Sequence, residues 1–581
     1  MPGYLSRRNF IKGLGAAAIA ASGRAGAKDA IMRQPNVILV MTDDQGFGDL
    51  ACHGNPWIRT PNLDGLHSSS LRLGNFHVSP TCAPTRAALL TGCYAQRCGV
   101  WHTIMGRSLL RRGVPTMADA FRASGYRAGM FGKWHLGDNY PFRPEDRGFD
   151  EVVSHGGGGV GQTPDYWGND YFDDHYRRNG RWEAYKGYCT DVFFREAMRF
   201  IDENRDRPFF VYLTPNAPHS PLRVEDNHKE IYKGKVADEV AAFYGMITNF
   251  DENMGRLREC LKKADLEDDT ILIFLTDNGS GTKVPFNAGL RGQKGTMYEG
   301  GHRVPCFIRW PRGGLAGGRQ IDELTAHLDM LPTLIDLCGL KRPNGAAFDG
   351  ISLAALLTGR ATGLSERFIH DDQQRIDVPM KYRDYVVMDG RWRFINGELY
   401  DVETDLGQKN NLAKEKPEIA AGMGEAYERW WADVSRGFGE YCRIVIGSDA
   451  ENPSRLDCMD WHSPDSPPWN QPSILAGEKK NGFWEIEAAR DGRYSFALRR
   501  WPVEAGAAIN DAVPGGKALN ITRAWMKIGG IAQSRPVGPA DAEATFEIDL
   551  KAGEYRLETL FENDEGEGRG AYYVHAERKG T

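Results

Sequence analysis

The sequence predicts an α/β protein carrying an additional all-β segment at its C-terminus, and three observations lead there. Between about residues 35 and 340, short apolar runs alternate with longer amphipathic stretches, the rhythm of strands and helices layered on a sheet. Four of those runs lack the alternation of half-solvated strands and read as buried on both faces. From about residue 440 the pattern changes to period two with Gly-containing turns. GFWEIEAARDGRYSFALRRWP (Gly482–Pro502) and ATFEIDLKAGEYRLETLFEN (Ala544–Asn563) show it, and they predict a sandwich-like β domain over 440–581.

The chain opens with Ser6-Arg7-Arg8-Asn9-Phe10-Ile11-Lys12, a twin-arginine pattern. A weakly apolar run, GLGAAAIAAS, follows, and Ala25-Gly26-Ala27 supplies a small-x-small cleavage site. Residues 1–27 therefore read as a signal peptide for a protein folded before export to the periplasm or beyond. The apolar run is too short to span a bilayer, and no later segment is long enough. A net charge of −6 argues against a nucleic-acid partner. A chain of 581 residues exceeds what one core usually needs. The expected division is a catalytic α/β domain over 33–345, an α+β subdomain over 346–438 and the β domain. Ten cysteines spread over this length are not a disulfide scaffold. Cys93 with Cys98 is a conceivable local pair, and buried thiols are expected elsewhere.

The four buried runs share an ending. NVILVM (Asn36–Met41) leads into Thr42-Asp43-Asp44, and YRAGMF (Tyr126–Phe131) into Gly132-Lys133-Trp134-His135. FFVYLT (Phe209–Thr214) leads into Pro215-Asn216-Ala217-Pro218-His219, and TILIFL (Thr270–Leu275) into Thr276-Asp277-Asn278. Ligands of open α/β sheets bind beyond the carboxyl ends of the strands, so these residues should converge on one edge. Asp43, Asp44, Asp277 and Asn278 are hard oxygen donors, suited to one Ca²⁺ or Mg²⁺. No histidine accompanies either pair, as a two-zinc phosphatase would want. Asp43-Asp44 alone is equally well explained as a helix N-cap.

Residues 140–190 are rich in Gly, Tyr, Trp and Asp and read as a long irregular insertion shaping a substrate mouth. HGGGGVGQ (His155–Gln162) lacks the Gly-Lys-Ser/Thr of a phosphate loop and reads as a flexible loop. Around Leu399–Asp405 a strand closes into a turn, and a helical stretch through Trp430 and Trp431 follows.

CAPTRAALLTG (Cys82–Gly92) is the most informative stretch. Pro84 suits the first helical position and Gly92 a C-terminal stop, which puts Cys82 just ahead of a helix N-terminus. The unpaired N–H groups there depress a thiol pKa and favour a thiolate. A cysteine hydrolase would then need a histidine base, for which His135 and His219 are candidates. Soft sulfur is nonetheless an awkward neighbour for a hard-oxygen cation site.

Cys-Ala-Pro-Thr-Arg followed by Ala-Ala-Leu-Leu-Thr-Gly resembles the signature of type I, formylglycine-dependent sulfatases, arylsulfatase-like members of the alkaline phosphatase superfamily. DDQGFGD (Asp43–Asp49), GKWHLG (Gly132–Gly137), PHSP (Pro218–Pro221), TDNG (Thr276–Gly279) and RGQKGTMYEGGHRVP (Arg291–Pro305) match in the family's order, over about residues 35–430. The resemblance implies an alkaline-phosphatase-like core and oxidation of Cys82 to formylglycine by a maturation enzyme. Hydrated formylglycine has two geminal hydroxyls: one attacks sulfur, and the second loses a proton and expels sulfate. Its oxygen also removes the objection to sulfur beside Ca²⁺. By the same resemblance, Asp43, Asp44, Asp277, Asn278 and modified Cys82 hold one Ca²⁺, and Arg86 stabilises the deprotonated hydroxyl. Lys133 and Lys294 grip sulfate, His135 takes a proton from the second hydroxyl, and His219 protonates the departing alcohol with Lys294 beside it. Trp101 and His102 follow the signature and are candidates for the pocket lining. The expected function is sulfate-ester hydrolysis, on a sulfated carbohydrate. The rivals are a formylglycine-dependent phosphonate monoester or phosphodiester hydrolase and a catalytically silent glycan-binding protein.

Overall fold

The computed structural model describes residues 34–580; the twin-arginine segment lies outside them. All four buried runs are strands, β1 (Asn36–Thr42), β2 (Arg127–Gly132), β3 (Phe209–Thr214) and β4 (Thr270–Thr276). They lie side by side in the order β4-β1-β3-β2, every pair parallel, at the centre of a ten-stranded sheet. The register levels their carboxyl ends: Thr42 lies opposite Thr276, and Gly132 opposite Thr214.

Successive side chains of a strand point to opposite faces, and β1 shows why its run is apolar throughout. Val37, Leu39 and Met41 pack on one face with Ala87, Leu89 and Leu90 of α1 (Cys82–Thr91). Ile38 and Val40 pack on the other with Phe193 and Phe200 of α2 (Cys189–Glu203) and Phe250 and Leu257 of α3 (Asp238–Lys263). The sheet is therefore covered by helices on both sides.

The insertion over 140–190 is less irregular than its composition suggests. His175–Arg178 and Arg181–Ala184 form an antiparallel hairpin that extends the sheet from Glu151–Ser154. Its turn is Asn179-Gly180, both at positive φ (48° and 82°), the conformation that lets a two-residue connection follow strand twist. Arg178 fastens the hairpin to the core, bonding Glu151 at 2.9 Å and Glu196 at 2.5 Å.

Beyond the main sheet, Ile369–Asp372, Tyr385–Met388, Trp392–Ile395 and Glu398–Asp401 make an antiparallel meander. The helix α4 (Pro417–Val434) packs there, sharing a core with Val387, Phe394 and Trp101 through Tyr427, Trp430 and Trp431. Residues 444–578 form two further sheets, five main strands in one and four in the other. A common core of Trp461, Trp484, Trp501, Tyr494 and Phe496 joins them, and Leu109 and Phe142 from the α/β part enter it. From Pro35 onward the chain is one compact unit. All ten cysteines are unpaired, and the Cys93 thiol donates to the Ala347 carbonyl at 2.9 Å.

Arg107 joins the three parts. Its side chain, 2 % exposed, bonds Asp377 at 2.9 Å and the Glu440 carbonyl at 2.9 Å. The guanidinium also lies 4.6 Å from the Trp101 ring and 4.4 Å from that of Tyr441. Asp377 in turn accepts from His462 Nδ1 at 2.8 Å. Breaking a buried pair of this kind costs about 3 kcal/mol or more. Arg107→Ala is expected to lower the denaturation midpoint accordingly, and Arg107→Lys to recover little, because an ammonium cannot stack and fork at once. A midpoint equal to wild type in Arg107→Ala would refute this joint.

Candidate active site

The levelled strand ends deliver the polar residues to one place. Asp43 Oδ2 accepts from Lys133 Nζ at 2.7 Å, and Asp44 Oδ1 meets Lys294 Nζ at 2.5 Å and Asn278 Nδ2 at 3.0 Å. The Asp44 N–H donates to Asp277 Oδ1 at 3.1 Å, which ties β1 to β4. Lys133 is set by its backbone: its N–H donates to the Thr214 carbonyl, while its own carbonyl accepts from Thr214 Oγ1 and Arg86 Nη1. Gly132 permits this at φ +119°, since a Cβ there would lie 2.1 Å from the Thr214 carbonyl oxygen.

The helix α1 starts at Cys82, with Thr81 extended at its N-cap, so Cys82 is its first residue rather than lying ahead of it. Pro84 is third, where the missing N–H is still not needed by the helix. Arg86, one turn on, is fully buried and donates to Asp277 Oδ2 at 2.8 Å. The Cys82 sulfur lies within 4.8 Å of carboxylate oxygens of both Asp43 and Asp277.

Three carboxylates thus meet three cations with little solvent. Burial raises the pKa of Asp43, and burial together with Asp43 raises Asp277 to about 6. Burial acts the same way on Asp44, but Lys294 and His219 outweigh it and hold the carboxyl low. At Cys82 burial is likewise outweighed, here by Lys133 and Lys294, and the thiol pKa falls. Asp43 Oδ1 and Asn278 Oδ1 are buried without any hydrogen-bond partner. Orphaned hard oxygens beside carboxylates are what a divalent cation needs, and the donor set fits Ca²⁺ or Mg²⁺.

Two histidines complete the cluster. His135, at φ +63°, gives its Nε2 proton to the Thr103 carbonyl at 2.8 Å, which leaves Nδ1 bare, buried and unpartnered. Burial and then Lys133 hold this ring neutral. His219 gives its Nδ1 proton to the Ser220 carbonyl at 2.6 Å and turns Nε2 towards Asp44 Oδ2, 3.8 Å away. Burial brings its pKa to about 4, against the pull of Asp44.

HGGGGVGQ is packed, not flexible. Residues 155–160 are buried, and the Gly158 N–H donates to Gln162 Oε1 at 2.8 Å. A Cβ on Gly158 would lie 2.2–2.7 Å from the His135 imidazole, and one on Gly159 would lie 3.3 Å from His219 Nδ1. The glycines let backbone close over both rings. Trp101 belongs to the core instead of a pocket, its indole N–H bonded to the Ile376 carbonyl. His102 flanks His135 through Thr103.

His77, Glu299 and His302 also cluster as metal ligands do, and sequence reading passed them over. Their bonding is already complete. The two Nδ1 atoms lie 2.9 Å apart, His302 Nε2 meets the Met297 carbonyl, and Glu299 takes Arg393 at 2.6 Å and Arg303 at 3.1 Å. With two guanidiniums present, this is a structural network.

A nearly charge-neutral cleft that gathers cation ligands, ammonium groups and neutral imidazoles at one helix N-terminus defines a hydrolase of anionic esters. The sulfatase family model matches residues 35–340, and the model for the N-sulphoglucosamine sulphohydrolase C-terminal region matches 292–426. Human arylsulfatase A is 35% identical over 367 residues, covering 58% of this chain and 70% of that protein. Human N-acetylgalactosamine-6-sulfatase is 31% identical, covering 56% and 66%. The crystal structure of Ps i-CgsB in complex with k-i-k-neocarrahexaose superposes with a TM-score of 0.64 at 27% identity, covering 70% of this chain and 95% of that one. The phosphonate monoester hydrolase of Agrobacterium radiobacter shares the fold, with a TM-score of 0.53 at 22% identity, covering 69% and 96%. The chain belongs to the sulfatase family, within the alkaline phosphatase superfamily, and its reaction class is sulfuric ester hydrolysis. Neither family model reaches the β sheets beyond residue 440.

Gly158→Ala drives a methyl into the His135 ring, so it is expected to cut kcat for 4-nitrophenyl sulfate by about 100-fold, the cost of an ångström-scale misplacement. The denaturation midpoint should fall only by what overpacking one site costs, about 1–3 kcal/mol. A kcat near wild type would show that the loop does not set His135.

Proposed function

We propose that the protein is an exported sulfatase acting on a sulfated carbohydrate, with Cys82 oxidised to formylglycine and one bound Ca²⁺. The observation that carries this is the buried constellation of Cys82 beside Asp43 and Asp277, ringed by Arg86, Lys133 and Lys294. Asp43, Asp44, Asp277, Asn278 and the residue-82 oxygen would hold the ion. When present, the aldehyde hydrate supplies a hydroxyl nucleophile with a second ionisable hydroxyl, and the ion supplies charge neutralisation for sulfate.

This chain's residues do the rest. The field of Lys133 and Lys294 that lowers the Cys82 thiol pKa also stabilises negative charge on an oxygen at that position. The same two ammonium groups bind the sulfate oxygens. Arg86, whose charge Asp277 secures in spite of burial, faces the same charge from within the helix. His135, with Nε2–H anchored on Thr103, offers bare Nδ1 to the proton of the second hydroxyl. His219 and Lys294 both stand on Asp44, where the departing alcohol needs a proton. A sulfate anion bound there favours the imidazolium of His219, and the Lys294 ammonium is already charged.

The sugars named for human N-acetylgalactosamine-6-sulfatase and for the neocarrahexaose complex support a carbohydrate substrate. Arg7-Arg8 supports export through the twin-arginine route, and the Cys82-Pro84-Arg86 signature supports a formylglycine-generating partner. The rival reading is phosphonate monoester or phosphodiester hydrolysis; the fold shared with the Agrobacterium radiobacter enzyme does not choose between the two.

The test couples peptide mass spectrometry across Cys82 to turnover. Protein co-expressed with a maturation enzyme should carry the aldehyde, and its 4-nitrophenyl sulfate activity should scale with the modified fraction. Cys82→Ala should be inactive. Full activity from unmodified Cys82 would overturn the mechanism, and a higher kcat/KM for a phenylphosphonate monoester would overturn the substrate.

A further inference from the structure

The segment that leaves β1 past Asp43 and Asp44 gathers a second set of ligand-type side chains, of different chemistry. Cys52 and His53 belong to a single helical turn, Ala51–His53, and His67 lies in the last turn of the helix Pro61–Ser69. The Cys52 sulfur and one ring nitrogen from each histidine lie within 4.8 Å of one another. All three residues are half-buried. Donors so spaced surround a point that one ion can occupy, with bonds of about 2.0–2.3 Å after a small adjustment of the side chains.

Both rings are held in place. His53 gives its Nδ1 proton to the Phe47 carbonyl at 2.7 Å, which leaves a lone pair on Nε2. Ligating histidines are oriented in this way, with the second nitrogen fixed by a carbonyl. His53 stacks on Phe47 at 4.0 Å between centroids, and His67 meets Phe307 edge-on at 5.1 Å. The imidazoles stand at 75° to each other, their centroids 5.7 Å apart. Among the described residues, the His67 ring makes no hydrogen bond. Burial lowers the pKa of both rings, His53 to about 4, so both are neutral and able to donate lone pairs.

The surrounding charges select the metal. Asp64 Oδ1 accepts from the Cys52 N–H at 3.0 Å, which puts one carboxylate beside the thiol. Arg72 and Arg303 line the adjoining cavity of about 340 Å³. Arg72 donates to the Gly318 carbonyl at 2.8 Å, and Arg303 to Glu299 at 3.1 Å. Two guanidiniums oppose a hard cation held by charge alone. Sulfur and nitrogen hold a borderline-soft ion by lone-pair donation instead, and one thiolate with two neutral imidazoles is a zinc donor set.

We propose that Cys52, His53 and His67 bind one Zn²⁺, distinct from the hard-oxygen ion, with the fourth position open to water from the cavity. Burial and the Asp64 carboxylate keep the free thiol protonated. Binding exchanges that proton for the metal, and the proton passes to solvent. The ion pins the turn Ala51–His53 to the helix Pro61–Ser69. It thereby braces the segment that runs from Asp43 and Asp44 through Phe47.

The test is calorimetric titration of the untagged, chelator-stripped full chain with Zn²⁺ in excess Ca²⁺. A Cys82→Ala background keeps the residue-82 sulfur out of the measurement. One Zn²⁺ should bind per chain, and Cys52→Ser and His67→Ala should each weaken it at least about tenfold. Zn²⁺ should also raise the denaturation midpoint of the parent, and of neither variant. Co²⁺ in place of Zn²⁺ should give a sulfur-to-metal charge-transfer band that Cys52→Ser removes. No Zn²⁺ uptake, uptake that excess Ca²⁺ abolishes, or an affinity that either variant leaves unchanged overturns the site. Should a variant fail to fold, the cobalt band of the parent decides alone: its presence supports sulfur ligation, and its absence overturns the site.

Discussion

Three buried carboxylates balanced by three cations, of which Arg86 and Lys133 are fully buried and Lys294 partly so, are the constraint on which the site depends. Asp43, Asp44 and Asp277 could not stay ionised in a dry cleft alone, and Lys133, Lys294 and Arg86 could not stay charged without them. Because the pairs nearly cancel, the cleft can accept a divalent cation together with the two negative charges that a nucleophile oxygen and a sulfate ester bring. The sheet register is what makes the balance possible. Strands β1, β2 and β4 end level, so residues 43, 133 and 277 meet although 234 positions separate the first from the last.

Orientation comes from backbone more than from side chains. Carbonyls of Thr103 and Ser220 decide which nitrogen of each histidine is bare, and the Lys133 carbonyl collects Arg86 and Thr214. Carbonyls do not titrate, so the two imidazoles keep their tautomers as the charges around them change. The glycines at 132 and 158 serve the same end by letting backbone approach where a methyl would collide.

Much of this was legible in the sequence. Strands buried on both faces lose period-two alternation, so the four runs announced themselves, and the polar endings followed from where such sheets bind ligands. The β segment was legible because strands such as Arg523–Ile528 and Ala544–Leu550 keep one wet face. The hairpin at Asn179-Gly180 carried a clear turn signal, but the surrounding Gly and aromatic residues masked it as irregular. The start of α1 was placed at Pro84, because proline statistics mark a first turn and not the exact residue. The Thr103 and Ser220 carbonyls left no trace, since every residue has one. Cys52 and His53 were equally silent: one Cys-His pair signifies nothing until the helix carrying His67 is seen to fold against it.

The central claim is that the balanced cluster exists to receive one hard cation. Calorimetric titration of metal-stripped protein with Ca²⁺ addresses it most directly. The account predicts one ion per chain, and at least about tenfold weaker binding in Asp43→Asn, where an orphaned oxygen and its charge are lost together. Two ions per chain, no binding, or an affinity that Asp43→Asn leaves unchanged would contradict it.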